Sequence, residues 1–199
     1  MEMTSAIEKL QQLLFELAGV SAEDSLPLFA MVHVVNLNQN QTYIGIGSIS
    51  RKLAYIQDGI IRGYTIKENG DDATLFLRSE GQFIASHEGI IFKQPSRFIY
   101  HALAPTTLME IDYDVLEEIL KTHPVYEPLR NFFLMRMLGE ALAHIETFVT
   151  QSPEERYRAL VATQQALVNR VPDKYIASML GITPVSLSRI RKRMHKRDK

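Results

Sequence analysis

A chain of 199 residues has room for one large domain or two small ones, and a hydrophobic fraction of 46% is ample for buried cores. The absence of cysteine excludes disulfides, thiolate zinc sites, cysteine-ligated iron–sulfur clusters and a cysteine nucleophile. With a net charge of −1, no run of eighteen apolar residues and no basic-then-apolar N-terminal leader, the protein is expected in the cytoplasm, with no membrane partner.

Ser5 reads as an N-cap with Glu8 three residues on, and Ile7, Leu10, Leu13, Leu14 and Leu17 recur at helical spacing up to Gly19. From about Leu28 to Ile111 the pattern changes to short apolar or alternating runs separated by Gly, Asn, Asp and Pro. The predicted strands are 30–35, 41–46, 52–57, 60–67, 73–78, 89–93, 96–104 and 107–111, with a hairpin turn at Asn69-Gly70-Asp71. Many short strands with close turns and no helices between them argue for an antiparallel sandwich or barrel. The aromatic residues Tyr43, Tyr55, Tyr64, Tyr100, Phe76, Phe83, Phe92 and Phe98 read as its core.

Past Asp112 the periodicity is helical again. Val115, Leu116, Ile119 and Leu120 mark an amphipathic helix that ends near His123-Pro124, and a long helix follows from about Tyr126 to Thr150. Leu134, Leu138, Ala141, Ile145 and Phe148 repeat at steps of four, three, four and three, a heptad seam. Phe132, Phe133, Met135, Met137 and Leu142 add a second apolar flank. One face packed on its own domain leaves the other for a second copy of the chain, so a homodimer is expected. Ser152-Pro153-Glu154-Glu155 has the full capping-box arrangement and starts a new helix through Tyr157, Leu160, Val161 and Leu167.

The last thirty residues read as two short helices joined by a tight turn. Ile176 and Leu180 lie one turn apart, with small Ala177 where a crossing helix must come close. Gly181 stops the first helix because glycine takes the left-handed conformation without steric cost, and Thr183-Pro184 restarts the chain as a second helix. On that second helix Thr183, Leu187, Ile190 and Met194 share one face, and Val185, Ser188, Arg189, Lys192 and Lys196 share the opposite one. Residues 189–199 carry seven cations (Arg189, Arg191, Lys192, Arg193, Lys196, Arg197 and Lys199) against Asp198, a net +6, which leaves residues 1–188 at −7. A helix-turn-helix with a cationic outer face fits a polyanion, and double-stranded DNA is the expected partner.

The order of these parts, together with Leu53-Ala-Tyr-Ile-Gln-Asp-Gly-Ile-Ile-Arg-Gly-Tyr64, Gly81-Gln-Phe-Ile84 and Tyr175-Ile-Ala-Ser-Met-Leu-Gly-Ile-Thr-Pro-Val-Ser-Leu-Ser-Arg-Ile-Arg191, resembles the Crp/Fnr family of bacterial transcription regulators over nearly the whole chain. The resemblance implies an α+β protein in three parts. Residues 1–124 form a cyclic-nucleotide-binding-like antiparallel β-barrel or jelly roll, residues 125–150 a long dimerisation helix, and residues 151–199 a helical, winged-helix-like DNA-binding domain. It also implies a homodimer whose recognition helices, 184–195, enter successive major grooves about 34 Å apart, with RNA polymerase as a candidate partner. Base contacts then map onto Pro184, Val185, Ser186 and Arg189, of which only arginine pairs bidentately with guanine. Where family members often carry glutamate, Val185 can touch a thymine methyl but cannot accept from cytosine. With no obvious wing hairpin, phosphate contacts fall to Lys174, Ser178, Thr183, Ser188, Lys192 and Arg193.

The expected effector pocket comprises Gly81, Phe83, Ser86, His87, Ser96 and Arg97. Cyclic-nucleotide binders of the family present Gly-Glu and Arg-Ser or Arg-Thr pairs where this chain has Ala85-Ser86 and Ser96-Arg97. The ribose-binding glutamate is missing and the arginine is displaced by one residue, which in a strand reverses its face. Tight cyclic AMP binding is therefore not expected, and the effector is unknown or absent. Two alternatives stay open: Arg97 reaches an anion through a bulge, making a genuine cyclic-nucleotide sensor, or the chain is an adaptor acting through a protein partner. The six histidines are scattered with no HExxH, so no metal or cofactor is expected. Neither GxSxG nor GxxxxGK[ST] occurs, and an enzyme is the least expected class.

Overall fold

The computed structural model describes the backbone of residues 2–197 and the side chains of residues 7–16 and 19–196. The side chains of Ser5, Leu17 and Arg197, and all of Asp198 and Lys199, lie outside the described residues. Two helices, α1 (Glu2–Ala18) and α2 (Ala22–Phe29), lead into eight strands: β1 (His33–Leu37), β2 (Thr42–Ile44), β3 (Lys52–Asp58), β4 (Ile60–Ile66), β5 (Asp72–Ser79), β6 (Phe83–Ala85), β7 (Ile99–Ala102) and β8 (Thr106–Asp112). Five more helices complete the chain: α3 (Tyr113–Thr122), α4 (Glu127–Thr150), α5 (Pro153–Arg170), α6 (Asp173–Met179) and α7 (Pro184–Arg197).

The strands form two antiparallel four-stranded sheets, in the orders β1-β8-β3-β6 and β2-β7-β4-β5. Sequence neighbours are split between the sheets, as in a jelly roll, and among the described residues the strands do not close into a barrel. Alternation in each strand sends Leu37, Ile44, Ala54, Ile56, Ile61, Tyr100, Ala102 and Leu108 into the space between the sheets, where Phe76 and Phe98 pack on them. The corner where the chain passes from β3 to β4 is Gly59, with φ of +101°. A Cβ at that position would overlap Thr106, so both the conformation and the space require glycine.

A second core joins α1 and α2 to α3 and to the start of α4, through Leu14, Val20, Leu28, Leu116, Leu120, Tyr126 and Leu129. A third fills the C-terminal helices and draws in Ile60 and Leu77 from the sheet, so the helix-turn-helix unit rests on the strands through shared apolar packing. The Ser152 capping box is formed, its hydroxyl accepting from the Glu155 amide and its own amide donating to the Glu155 carboxylate. No helix is long and apolar enough to cross a membrane among the described residues.

Several sequence expectations need correction. Helix α1 already begins at Glu2, so Ser5 is not its cap. Helix α2 was not anticipated: its interior Pro27 argues against a helix, but Ser21 caps it by accepting from the Asp24 amide, and eight residues suffice once Leu28 is buried. The predicted strand at 89–93 is instead a wide helical turn over Glu88–Phe92, closed by Lys93 in a left-handed conformation. Ile91 and Phe92 of its apolar run turn outward, and Phe92 is exposed rather than core. The short strand β6 was missed, and β7 covers only Ile99–Ala102 of the predicted 96–104.

In the β2-β7-β4-β5 sheet, the outer sheet on which α6 lies, His101 of β7 sits edge-on to Tyr64, with ring centres 5.1 Å apart, and 6.5 Å from the ring of Tyr175 in α6. Burial, and then the neighbouring Arg62 guanidinium, hold its pKa below the ordinary value, with Asp72 opposing weakly. A base whose folded-state pKa is depressed contributes stability that is complete above its unfolded pKa, about 6.5, and is lost as pH falls below it. We therefore expect the unfolding midpoint to drop as pH falls below about 6.5 in the wild type and to drop less in His101→Gln. Equal slopes in the two proteins, followed by circular dichroism, would refute this.

Candidate nucleic-acid interface

The helix-turn-helix forms as its residues dictate. Ile176 and Ala177 of α6 are fully buried, Gly181 takes φ of +71°, and the Thr183 hydroxyl accepts from the Ser186 amide at 3.2 Å to cap α7. Leu187 is 0% and Ile190 4% exposed, with Met194 packed partly beneath them, so the inner face of α7 is locked into the third core. The outer face is open. Pro184, Val185, Ser188, Arg189, Lys192 and Lys196 are exposed, and Ser186 is half-buried at the first turn.

The cations of this segment divide into two groups. Arg191 is structural: its Nε donates to the Tyr157 hydroxyl at 2.7 Å and its Nη1 to Asp173 at 2.9 Å, which ties α7 to α5 and α6. Arg193 pairs with Glu154 at 2.9 Å beside the start of α5. Among the described residues, Arg189, Lys192 and Lys196 enter no ion pair, although they share a helix with paired arginines. A groove of about 400 Å³ lies along this face between Ser152, Pro153 and Glu154 of the α5 start and Ser186, Arg189 and Arg193 of α7.

The residues expected to touch phosphate therefore separate. Ser188 and Lys192 lie on the open side with Arg189, and Thr183 is exposed at the start of α7, where it caps the helix. Lys174 is exposed on α6, its ammonium 4.8 Å from the centre of the Tyr175 ring. Arg193 shares its guanidinium with Glu154. Ser178 is turned away from solvent: its hydroxyl accepts from the Thr74 amide of β5 at 2.9 Å and donates to the Asp72 carbonyl at 3.3 Å, so it belongs to the sheet contact. The resemblance assigned Ser178 to phosphate in place of a missing wing, and the side of α6 that carries it is the one the strands cover.

Sequence reasoning overlooked Arg156. Its Nη2 donates to the Leu180 carbonyl at 2.9 Å, its Nη1 to the Gln151 carbonyl at 2.6 Å, and its guanidinium lies 4.5 Å from the centre of the Phe148 ring. The arginine thus fastens the end of α4 to the turn before α7. An arginine in the first turn of a helix, against the usual preference for acids there, was the available signal.

Along α4 the first turns are buried through Leu129, while Leu134, Leu138, Ala141 and Ile145 are exposed. Phe148, 42% exposed, leans on Arg156 and lies close to Gly181. The flank residues Met135, Met137 and Leu142 are exposed as well.

The expected effector cassette is only partly assembled. Ser96 and Arg97 converge on Glu88, the Ser86 hydroxyl accepts instead from the Gly89 amide, and His87 stands at the start of the turn with its ring 6.0 Å from Phe98. Gly81 lies at the exposed β5–β6 turn, and Phe83 packs against Tyr55 and Phe133 on the side facing α4. A cavity of about 470 Å³ is lined by Glu88, Phe92, Gln94, Pro95 and Arg97. Glu88 is 3% exposed; its carboxylate accepts from Arg97 Nε at 2.6 Å, from the Arg97 amide at 3.1 Å and from the Ser96 hydroxyl at 3.3 Å. Burial works to raise its pKa, but the two Arg97 hydrogen bonds outweigh it and hold the carboxyl below the ordinary value. Residues 93–98 are not in a strand, so the face reversal expected of Arg97 does not apply: it reaches an anion, and that anion is the chain's own. A Cβ on Gly89 would overlap the Ser50 carbonyl oxygen, and this close approach is what seats the turn carrying Glu88.

Two facing four-stranded sheets, a long helix along them and a terminal helix-turn-helix recur together in solved structures. FixK2 from Bradyrhizobium japonicum superposes with a TM-score of 0.71 at 15% identity, covering 84% of this chain and 86% of that one. A transcriptional regulator of the CRP/FNR family from Thermus thermophilus superposes at 0.60 with 18% identity, covering 83% and 87%. The protein has the Crp/Fnr fold. In sequence, the electron transport regulator A of Shewanella oneidensis is 26% identical over 164 residues, which span 75% of this chain but only 64% of that relative. No family model matches the chain. Within the Crp/Fnr fold, the described residues from 151 onward contribute helices and no strand, so the wing of a winged helix is not among them.

Proposed function

We propose that the protein is a cytoplasmic, homodimeric DNA-binding transcription regulator of the Crp/Fnr family that reads a palindromic operator through α7. The observation that carries this reading is the asymmetry of that helix. Its inner face is sealed by Leu187 and Ile190, while Val185, Ser188, Arg189, Lys192 and Lys196 face outward, the three cations forming no ion pair among the described residues. Lys192, Lys196 and Lys174 supply affinity for phosphate, which carries no sequence information, and Arg189 supplies discrimination. Val185 contributes apolar contact with a thymine methyl, which sets the operator apart from those read by a glutamate. The three-part division at residues 124 and 150 follows from this reading: residues 1–124 sense, α4 pairs the subunits, and residues 151–199 bind DNA. The effector is not a cyclic nucleotide, because Glu88 already holds the guanidinium that a cyclic phosphate would need.

Operators selected from randomised duplexes provide the test. Wild type is expected to retain a palindromic site, and Arg189→Ala to lose about 1–3 kcal/mol of discrimination at one base pair of each half-site, roughly 5- to 150-fold. Mobility shifts at fixed salt measure both. Binding that is salt-labile and equally unselective in the two proteins would replace this reading with the adaptor, whose basic segment only adds charge.

A further inference from the structure

The helix-turn-helix is joined to the sheets by more than its connection through α5. Helix α6 lies on β5, the edge strand of the outer sheet, and Arg62 of the neighbouring strand β4 stands at the centre of the contact. Arg62 is 1% exposed. Its guanidinium is stacked between two rings, 4.2 Å from the centre of Tyr64 on its own strand and 3.9 Å from that of Tyr175 on α6. Nε donates to the Thr74 hydroxyl at 2.9 Å and Nη1 to the Asp72 carboxylate at 2.7 Å, while Nη2 is buried with no hydrogen-bond acceptor among the described residues. One face of a buried cation is thus covered by Tyr175, a residue of the helix-turn-helix.

The strand beneath is prepared for the same contact. The β4–β5 ladder shifts register at Gly63/Tyr64, and opposite that irregularity the Thr74 amide donates to the Ser178 hydroxyl. An open edge amide at a bulge is thereby satisfied by α6. At the far end of β5, Arg170 from the end of α5 pairs with Glu80 at 2.8 Å. Three polar ties and a ring-cation-ring stack leave little freedom to rotate, and the planar guanidinium makes arginine, not lysine, the residue that can stack and fork together. The outer face of α7 stays exposed while α6 is docked, so this arrangement leaves the reading face open.

We propose that Arg62 is a positioning residue: by bridging the sheet and Tyr175 it fixes the angle at which the helix-turn-helix is carried, and so sets which spacing of two half-sites a dimer accepts. The consequence for spacing rests on the DNA-binding reading; the fixed angle does not.

The absence of cysteine allows both to be measured on the full chain. Spin labels at Glu68→Cys on the β4–β5 turn and Lys192→Cys on α7, with labelled protein diluted into excess unlabelled protein, report the angle within one subunit. Arg62→Lys keeps the charge without the stack. Tyr175→Ala with Ser178→Ala breaks the contact from the α6 side, leaving the sheet interior intact. A single narrow distance is expected in the otherwise wild-type background, and a broad distribution in both variants. On palindromes whose half-site separation is stepped by single base pairs, wild type is expected to lose about a hundredfold in affinity off its preferred spacing, and the variants less than about tenfold, with single half-site affinity unchanged. A narrow distance retained in both variants would overturn the proposal, as would broadened distances with unaltered spacing selectivity. If wild type selects no duplex, the DNA-binding reading fails, and the distance measurement alone decides whether Arg62 holds the angle.

Discussion

Replacing Leu138 and Ile145 together by arginine is expected to convert the protein from dimer to monomer and to lower its affinity for a palindromic site by at least about a hundredfold, the factor that linking two binding modules typically supplies. Leu134, Leu138, Leu142 and Ile145 are all exposed along α4 past its second turn, as are Met135, Met137 and Val149, although Leu129 near the start of the same helix is buried against α1 and α3. A contiguous apolar surface of this kind on one helix marks an interface, and the heptad repeat of Leu134, Leu138, Ala141 and Ile145 suits an isologous pairing with the same helix of a second copy. Arginines at the seam would be buried without partners, which costs several kcal/mol in real proteins and opposes association. Sedimentation equilibrium should show the mass halved, and binding to a single half-site should survive because α7 is untouched. A double variant that stays dimeric would place the subunit contact elsewhere.

Leu187→Ala is expected to cost about 2–5 kcal/mol of stability, the range for emptying a fully buried leucine site. Leu187 has no exposed surface and packs in the core that includes Ile176 and Ile190 and also takes in Ile60 and Leu77. The cavity would open where the inner face of α7 meets α5 and α6, so selective DNA binding should fall with stability. Val185→Ala is the control: the residue is 61% exposed, and its stability should stay within about 0.5 kcal/mol of wild type while the preferred operator changes. Urea denaturation of both variants decides the matter, and a cost below roughly 1 kcal/mol for Leu187→Ala would mean that α7 is held by something other than its inner face.

Much of this architecture is legible in the residues. The period of α4 and its apolar excess, the capping box at Ser152 and the Gly181 turn are local patterns whose physics acts within a few residues, and each falls where it was read. The same holds for the Asn69-Gly70 hairpin and for most strands. The misses are contacts between distant segments. Ser178 has the sequence context of an outward hydroxyl, and only the bulged edge of β5 turns it inward. The run Gly89-Ile90-Ile91-Phe92 has the composition of a strand, yet the close approach of Gly89 to Ser50 and the capture of Arg97 by Glu88 fold it into a wide turn. Arg62 looks like one more solvent-facing cation on a strand until Tyr175 arrives from more than a hundred residues away. For the site itself, the open face of α7 was readable from helical spacing. The division of its cations into free and paired was not, because it depends on where Tyr157, Asp173 and Glu154 come to lie.

Glu88 bears on how such a fold can respond to its surroundings. Its carboxylate is tethered nine residues from Arg97, so it is present there at an effective concentration in the millimolar range, whatever the solution contains. Dilute anions face a resident competitor that never diffuses away. A ligand able to draw the carboxylate outward faces no such rival, and its arrival would release an arginine and unseat the turn pressed against Ser50 in one step.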